Sequence, residues 1–295
     1  MAEIVVGMDG SAQSADALRW AAGEAEARGA DLVAVLVWDL FNQHHADGSH
    51  RFDPDYDAAA ADAALATMVE GALGAEAAGA VERRTLCDVP APGLITAAEG
   101  ADLLVVGARG LGGFRGLLLG SVSQQCLHHA TGPIAVVHGS PVERPDGGRI
   151  VVGVDGSAGS AAALRWALAD AAARGSVVEV VHAWEPPVIY GPVIGTIPYD
   201  VDAIEAAAVR LVDTMVADAQ ADAGPDAPPV TVQRSVLAGG PATTLLDTAK
   251  DGELIVLGRR GLGGFRRLLL GSVSEHVVRH ATGTVVVIPA EQPAD

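Results

Sequence analysis

The chain has 295 residues, 49% of them hydrophobic and 4% aromatic, enough for two domains of ordinary size that each bury a core. A formal net charge of −18, with Lys250 the one lysine, repels phosphate backbones at long range and argues against nucleic acid or an anionic membrane as the main partner. No apolar run approaches a membrane span, Met1-Ala2-Glu3-Ile4 enters a strand without the basic stretch of a secretory signal, and Cys87 and Cys126 lack CxxC spacing, so a cytoplasmic protein with reduced thiols is expected.

In chain order, Ile4–Met8 reads as a first strand, and Ser11 opens an Ala-rich helix that Gly29 ends after Arg28. Leu32–Trp38 is a second strand, followed by a long loop and a helix from about Tyr56 to Ala78. A strand near Val81–Leu86 comes next, then a short helix after Pro92 and the strongly apolar strand Asp102–Val106. A glycine-rich loop leads to a helix over Ser121–Ala130, and Ile134–His138 is the last strand of this half. The pattern then begins again, with strands near Ile150–Val154, Val177–Trp184, Val230–Val236, Leu254–Leu257 and Val285–Ile288.

The repetition extends to individual residues. Ile4-Val5-Val6-Gly7-Met8-Asp9-Gly10-Ser11 returns as Ile150-Val151-Val152-Gly153-Val154-Asp155-Gly156-Ser157, and the segment from Gly107 to Ser123 returns as Gly258 to Ser274 with changes only at Ala108/Arg259 and Gly116/Arg267. Two copies are therefore expected over 1–140 and 149–290, joined by a short linker around Gly139–Gly148. Strands alternating with helices imply a parallel sheet covered on both faces. Each copy is predicted to be a doubly wound α/β domain of five strands in the order 3-2-1-4-5. In that order a crevice opens between strands 1 and 4, at their C-terminal ends.

The repeated motifs sit at those ends. Gly107, Gly110 and Gly120-Ser121 follow the spacing G-x2-G-x9-G-S, as do Gly258, Gly261 and Gly271-Ser272. Glycines at a strand end permit positive φ and close approach of an anion, and Gly120-Ser121-Val122-Ser123 opens a helix whose free amides favour phosphate. The hydroxyls of Ser121 and Ser123 and the charge of Arg109 or Arg115 could add to such a site; bare turns and an N-cap serine are the plainer alternative. Asp9 and Asp155 end the first strand of each copy, where a carboxylate can accept from ribose hydroxyls, help place a metal ion, or cap the next helix. A P-loop is absent, and the glycines do not form the dinucleotide fingerprint after strand 1.

With the glycine spacing and the strand-1 Asp in both halves, the chain resembles tandem universal stress proteins of the ATP-binding class. The resemblance covers nearly all of both copies. It implies two ATP molecules per chain, alone or with Mg, and a role as a nucleotide-dependent sensor or regulator in the stress response. A slow ATPase using the same pocket and a chaperone-like structural protein remain the alternatives, and the missing lysine and the lack of a repeated base weigh against fast turnover. The resemblance assigns ATP to Gly7, Asp9, Val37, Gly107, Arg109, Gly110, Gly113, Gly120, Ser121 and Ser123. In the second copy it assigns Gly153, Asp155, Ala183, Gly258, Arg260, Gly261, Gly264, Gly271, Ser272 and Ser274. No catalytic residue and no protein-held metal is assigned. His44, His45 and His50, among Asp47, Asp53 and Asp55, have no histidine counterpart in Glu185–Asp200 and read as a solvated lid. The expected partners are ATP, an unidentified regulatory protein and a second copy in a homodimer. The apolar last strands Ile134–Val137 and Val285–Ile288 are expected to pair antiparallel, since neither carries the charges that protect an exposed edge.

Overall fold

The apolar runs become the central strands of a parallel sheet because both of their faces are buried, and the Ala-rich stretches become the helices that cover them. The computed structural model describes residues 2–111, 118–140, 148–185, 200–250, 253–262 and 269–289. They form two compact units, one of Met1–Arg144 with Val278–Pro289 and one of Pro145–Val277 with Ala290–Asp295. Gly113, Gly264, Arg115 and most of the expected linker lie outside the described residues.

In chain order the first copy has β1 (Glu3–Met8), α1 (Ala12–Arg28), β2 (Asp31–Trp38), α2 (Ala58–Leu73), α3 (Ala75–Ala78), β3 (Glu82–Cys87), α4 (Pro90–Ala97), β4 (Leu103–Gly107), α5 (Ser121–His129) and β5 (Ile134–Val137). The second has β6 (Arg149–Gly153), α6 (Ala158–Arg174), β7 (Val177–Trp184), α7 (Val201–Asp222), β8 (Val232–Ala238), α8 (Pro241–Thr248), β9 (Leu254–Gly258), α9 (Ser272–His280) and β10 (Val285–Ile288). In the first unit the strands run β3-β2-β1-β4-β5-β10, and in the second β9-β6-β7-β8 lie side by side. Neighbours within each copy pair in parallel, for example Ile4 with Leu32 and Leu103, and Ile150 with Val178 and Leu254. β10 is the exception: it runs antiparallel to β5, with Val285 opposite Val136 and Val287 opposite Ile134, the pairing that their bare apolar edges demand.

Capping explains the helix boundaries. Ser11 accepts from the Ser14 amide and Gly29 closes α1 at φ 61°, as Ser157 and Gly175 do for α6. The single helix expected over Tyr56–Ala78 is two, because Gly74 adopts φ 81° and ends α2. Asp57 accepts from the Ala60 amide and so starts α2 two residues later than expected. α4 likewise starts at Pro90, ahead of Pro92, since proline at the first helical turn needs no intrahelical donor.

Candidate functional site

The turn after β1 is built by one carboxylate. Asp9 Oδ1 accepts from the Ser11 amide at 3.0 Å, and Asp9 Oδ2 accepts from the Leu111 amide at 3.2 Å, 102 residues away. Asp155 repeats this with Ser157 at 3.0 Å and Leu262 at 2.9 Å. The strand-1 Asp therefore ties the end of β1 or β6 to the glycine loop of its own copy. Partial burial pushes the Asp155 carboxyl up, but donation from Ser157, Leu262 and Ser160 outweighs it and leaves the group below the usual carboxylate range. Ser14 and Ser160 belong to the same turn, their hydroxyls donating to Ser11 O and Ser157 O at 2.9 and 3.0 Å.

The glycine loop owes its composition to close approach. None of Gly107, Gly110, Gly120, Gly258, Gly261 or Gly271 has positive φ; the left-handed residues of the site are Gly10 at 77° and Gly156 at 87°, in the Asp-Gly-Ser turn. For these six glycines the expectation of positive φ is thus corrected; 112–117 and 263–268 lie outside the described residues. A Cβ on Gly110 or Gly261 would collide with Asp9 Oδ2 or Asp155 Oδ2. One on Gly107 would come within 2.9 Å of the Gln13 backbone, and one on Gly258 within 2.5 Å of Gly159, so these two admit the start of α1 or α6. The room left by Gly7 is filled by Leu94, 2.9 Å from where its Cβ would stand, and that left by Gly153 by Leu257 and Leu245.

At the N-terminus of α5 the cap residue is Gly120, with no side-chain capping bond, and Ser121 is the exposed first residue of the helix. Among the described residues no side chain caps the first amides of the helix, and amides so placed favour an anion. Gly120 is fixed by its amide donating to Ala108 O at 2.8 Å, and Gly271 by the equivalent bond to Arg259 O at 2.8 Å. Ser123 is no donor toward this space: it is buried, and its hydroxyl donates to Gly107 O at 2.7 Å, as Ser274 does to Gly258 O at 2.8 Å. Both serines fasten the helix to the strand end. Arg109 is exposed and its amide donates to Gln13 Oε1.

In the second unit these residues surround one cavity of about 400 Å³. The strand ends give it Gly153, Asp155, Ala183 and Gly258, the loop gives Arg260 and Gly261, and the start of α9 gives Ser272 and Ser274, with Gly271 just before it. Its apolar wall is made by Val181, Leu257, Pro241 and Leu245. Sequence reasoning missed that wall, although the Gly-Pro start of α8 and the parallel placing of Leu94 and Leu245 were there to be read. A lining that joins polar backbone and hydroxyl groups to aliphatic carbon suits a ligand with an anionic head and a flat apolar body.

The first copy brings Gly7, Asp9, Gly107, Gly110 and Gly120 into the same relation, and its loop over 39–57 is largely exposed, as at His50, with an interior that was not expected. Gln43 and His44 are buried, 5% and 3% exposed. Asn42 Nδ2 donates to Val37 O at 3.1 Å, the backbone group that the resemblance assigns to adenine. The polar run Asn42-Gln43-His44 beside a strand end was the available signal. Among the described residues no group of three or more His, Cys, Asp or Glu side chains is placed to hold a metal ion, and no helix is long and apolar enough to cross a membrane. Cys87 is exposed, while burial pushes the Cys126 thiol up to about 12.

Comparison with known proteins follows the two copies. The model of the universal stress protein family matches residues 1–138 and 148–289. A universal stress protein of Mycolicibacterium smegmatis is 33% identical over 300 residues, spanning 97% of this chain and 96% of its own. One from Mycobacterium tuberculosis is 33% identical over 310 residues, with 99% and 96% covered. Among solved structures, a universal stress protein from Archaeoglobus fulgidus matches with a TM-score of 0.68 at 22% identity over 98% of both chains, which shows the shared fold. Two matched halves, and relatives alike along nearly their whole length, establish that the chain belongs to the universal stress protein family.

Proposed function

We propose that each copy binds ATP, and that the chain acts as a nucleotide-dependent sensor or regulator in the cytoplasmic stress response. One observation carries the reading. Nine second-copy residues chosen from the sequence, from Gly153 to Ser274, converge on a single cavity of about 400 Å³. Its lining combines a helix N-terminus and a glycine loop, the chemistry of a polyphosphate site, with the aliphatic side chains of Val181, Ala183 and Leu245, the chemistry of a purine site. Both Asp155 oxygens already accept backbone N–H, which makes the carboxylate a poor direct ligand for a hard cation. Any Mg is therefore proposed to arrive on the phosphates with water around it.

Calorimetric titration of ligand-free protein tests the reading. ATP at about 100 times its dissociation constant should add about 2.7 kcal/mol of stability for each occupied site. An unchanged melting temperature at saturating ATP would sink it. A turnover assay on the same protein measures the slow-ATPase alternative. A pulldown with and without ATP, and sedimentation for a homodimer, test the proposed partners.

A further inference from the structure

The first glycine loop is held on both sides of Gly110 by residues from the start of its copy. Asp9 accepts from the Leu111 amide, and Gln13, in the first turn of α1, accepts through Oε1 from the Arg109 amide. The aspartate recurs in the second copy as Asp155, but Gln13 does not: Gly159 stands in its place. The exchange changes how the loop is seated. A Cβ on Gly159 would lie 2.7 Å from Arg260 O, nearer than any side chain permits, so the second loop rests on the backbone of α6 itself. Gln13 carries that Cβ, which keeps Arg109 O out of the equivalent place, and its side-chain amide reaches the loop instead. The position stands at the rim of the site, since Ser157, Ser160, Arg260 and Gly261 around Gly159 all line the second-copy cavity.

We propose that Gln13 is the positioning residue of the first site: it fixes the glycine loop to receive an anionic ligand, and does so with a neutral acceptor. The proposal rests on the nucleotide reading above. A carboxylate would hold the Arg109 amide at least as firmly as a carboxamide does. Glutamate would also suit the positive end of the helix dipole, so the stability of α1 alone favours Glu at this position. The chain has Gln there, and neither α1 nor α6 carries an acidic residue in its first turn. What separates the two side chains is charge. Asp9 already sets one carboxylate against the loop, and a second beside Arg109 would repel both Asp9 and incoming phosphates. Gln13 makes the bond and leaves the charge out.

The test reads the first site alone, by calorimetry of full-length, ligand-free protein carrying Gly261→Ala, with ATP and AMP as probes. Gln13→Ala removes the bond that places the loop and should weaken ATP binding by about two- to tenfold. Gln13→Glu keeps the bond and adds a charge. It should weaken ATP by about tenfold and AMP by less, and added NaCl should narrow the gap. Without ligand its melting temperature should equal or exceed that of the Gly261→Ala protein, which separates a lost contact from a lost fold. Either variant binding ATP no more weakly than the Gly261→Ala protein would overturn the role of Gln13 and leave the nucleotide reading intact. So would a Gln13→Glu variant that weakens ATP and AMP alike. No ATP binding in the Gly261→Ala protein, where the unaltered chain binds it, would overturn the proposal by removing the first site. No binding in the unaltered chain would overturn the nucleotide reading and the proposal with it.

Discussion

Each copy hangs its glycine loop on one aspartate, so small changes there should have local, readable effects. Alanine at Gly110 or Gly261 puts a methyl against the Asp9 or Asp155 carboxylate and breaks its bond from Leu111 or Leu262. A hydrogen bond to a charged group is worth about 1.5–3 kcal/mol, so each change should weaken ATP binding at its own site by roughly ten- to a hundredfold in calorimetry. A double variant that binds like the parent would show that the loop is not the site. A different asymmetry separates two arginines. Arg149 holds the buried Glu179 together with Glu253, whereas Arg84 meets Glu3 and Glu82 at the surface. Arg149→Met leaves a buried carboxylate without its cation and should cost about 3 kcal/mol in urea unfolding. Arg84→Met should cost less than about 1 kcal/mol. His138, at the end of β5, gives a pH signature: burial, with Arg109 nearby, pushes its imidazole down to about 4, against an ordinary value of 6.5. Above pH 6.5 neither state is protonated and the residue contributes nothing. Between 6.5 and 4 the unfolded chain takes up a proton that the folded one refuses, and stability falls by about 3 kcal/mol across that window. His138→Leu should flatten this fall in denaturation curves taken at pH 7 and pH 5; an unaltered slope would count against the assignment.

At the level of elements, the central strands were legible because Ile4–Val6, Leu103–Val106 and their counterparts are short uninterrupted aliphatic runs bounded by glycine and aspartate, as strands buried on both faces are. Helix starts at Ser11 and Ser157 were legible for a chemical reason, the serine side chain accepting an orphan amide. The break at Gly74 was not, since one glycine in an Ala-rich helix looks tolerable until its φ is known. The glycine spacing pointed to the pocket, but for partly different causes: the carboxylate behind Gly110 and the helix behind Gly107 are tertiary contacts that no local pattern encodes. The interior of the loop over 39–57 escaped for the same reason, because Gln43 and His44 look like surface residues until Tyr56 and Asp53 are brought to them. The edge strands make the sharpest test at this scale. Val136 and Val286 are fully buried in β5 and β10, so proline at either removes a backbone donor from the sheet. Each substitution should lower the melting temperature and promote aggregation seen by light scattering, and an unaffected variant would mean that the pairing contributes little.

For the molecule as a whole, 37 acidic residues against 19 Lys and Arg leave strong self-repulsion in the folded state. Raising ionic strength from about 0.01 to 1 M shortens the screening length from about 30 to 3 Å, so added NaCl should raise the melting temperature; a fall would mean that the ion pairs outweigh the repulsion. The first compact unit is also discontinuous, since Val278–Pro289 belongs to it and β10 pairs with β5. On the ribosome this becomes a question of time. β5 ends at Val137 and β10 begins only at Val285, so at about 5–20 residues per second the nascent chain waits roughly seven to thirty seconds for that neighbour. Throughout that interval Ile134–Val137 is a bare apolar strand edge, and the growing polypeptide depends on chaperones, or on its own negative charge, to keep it from neighbouring chains.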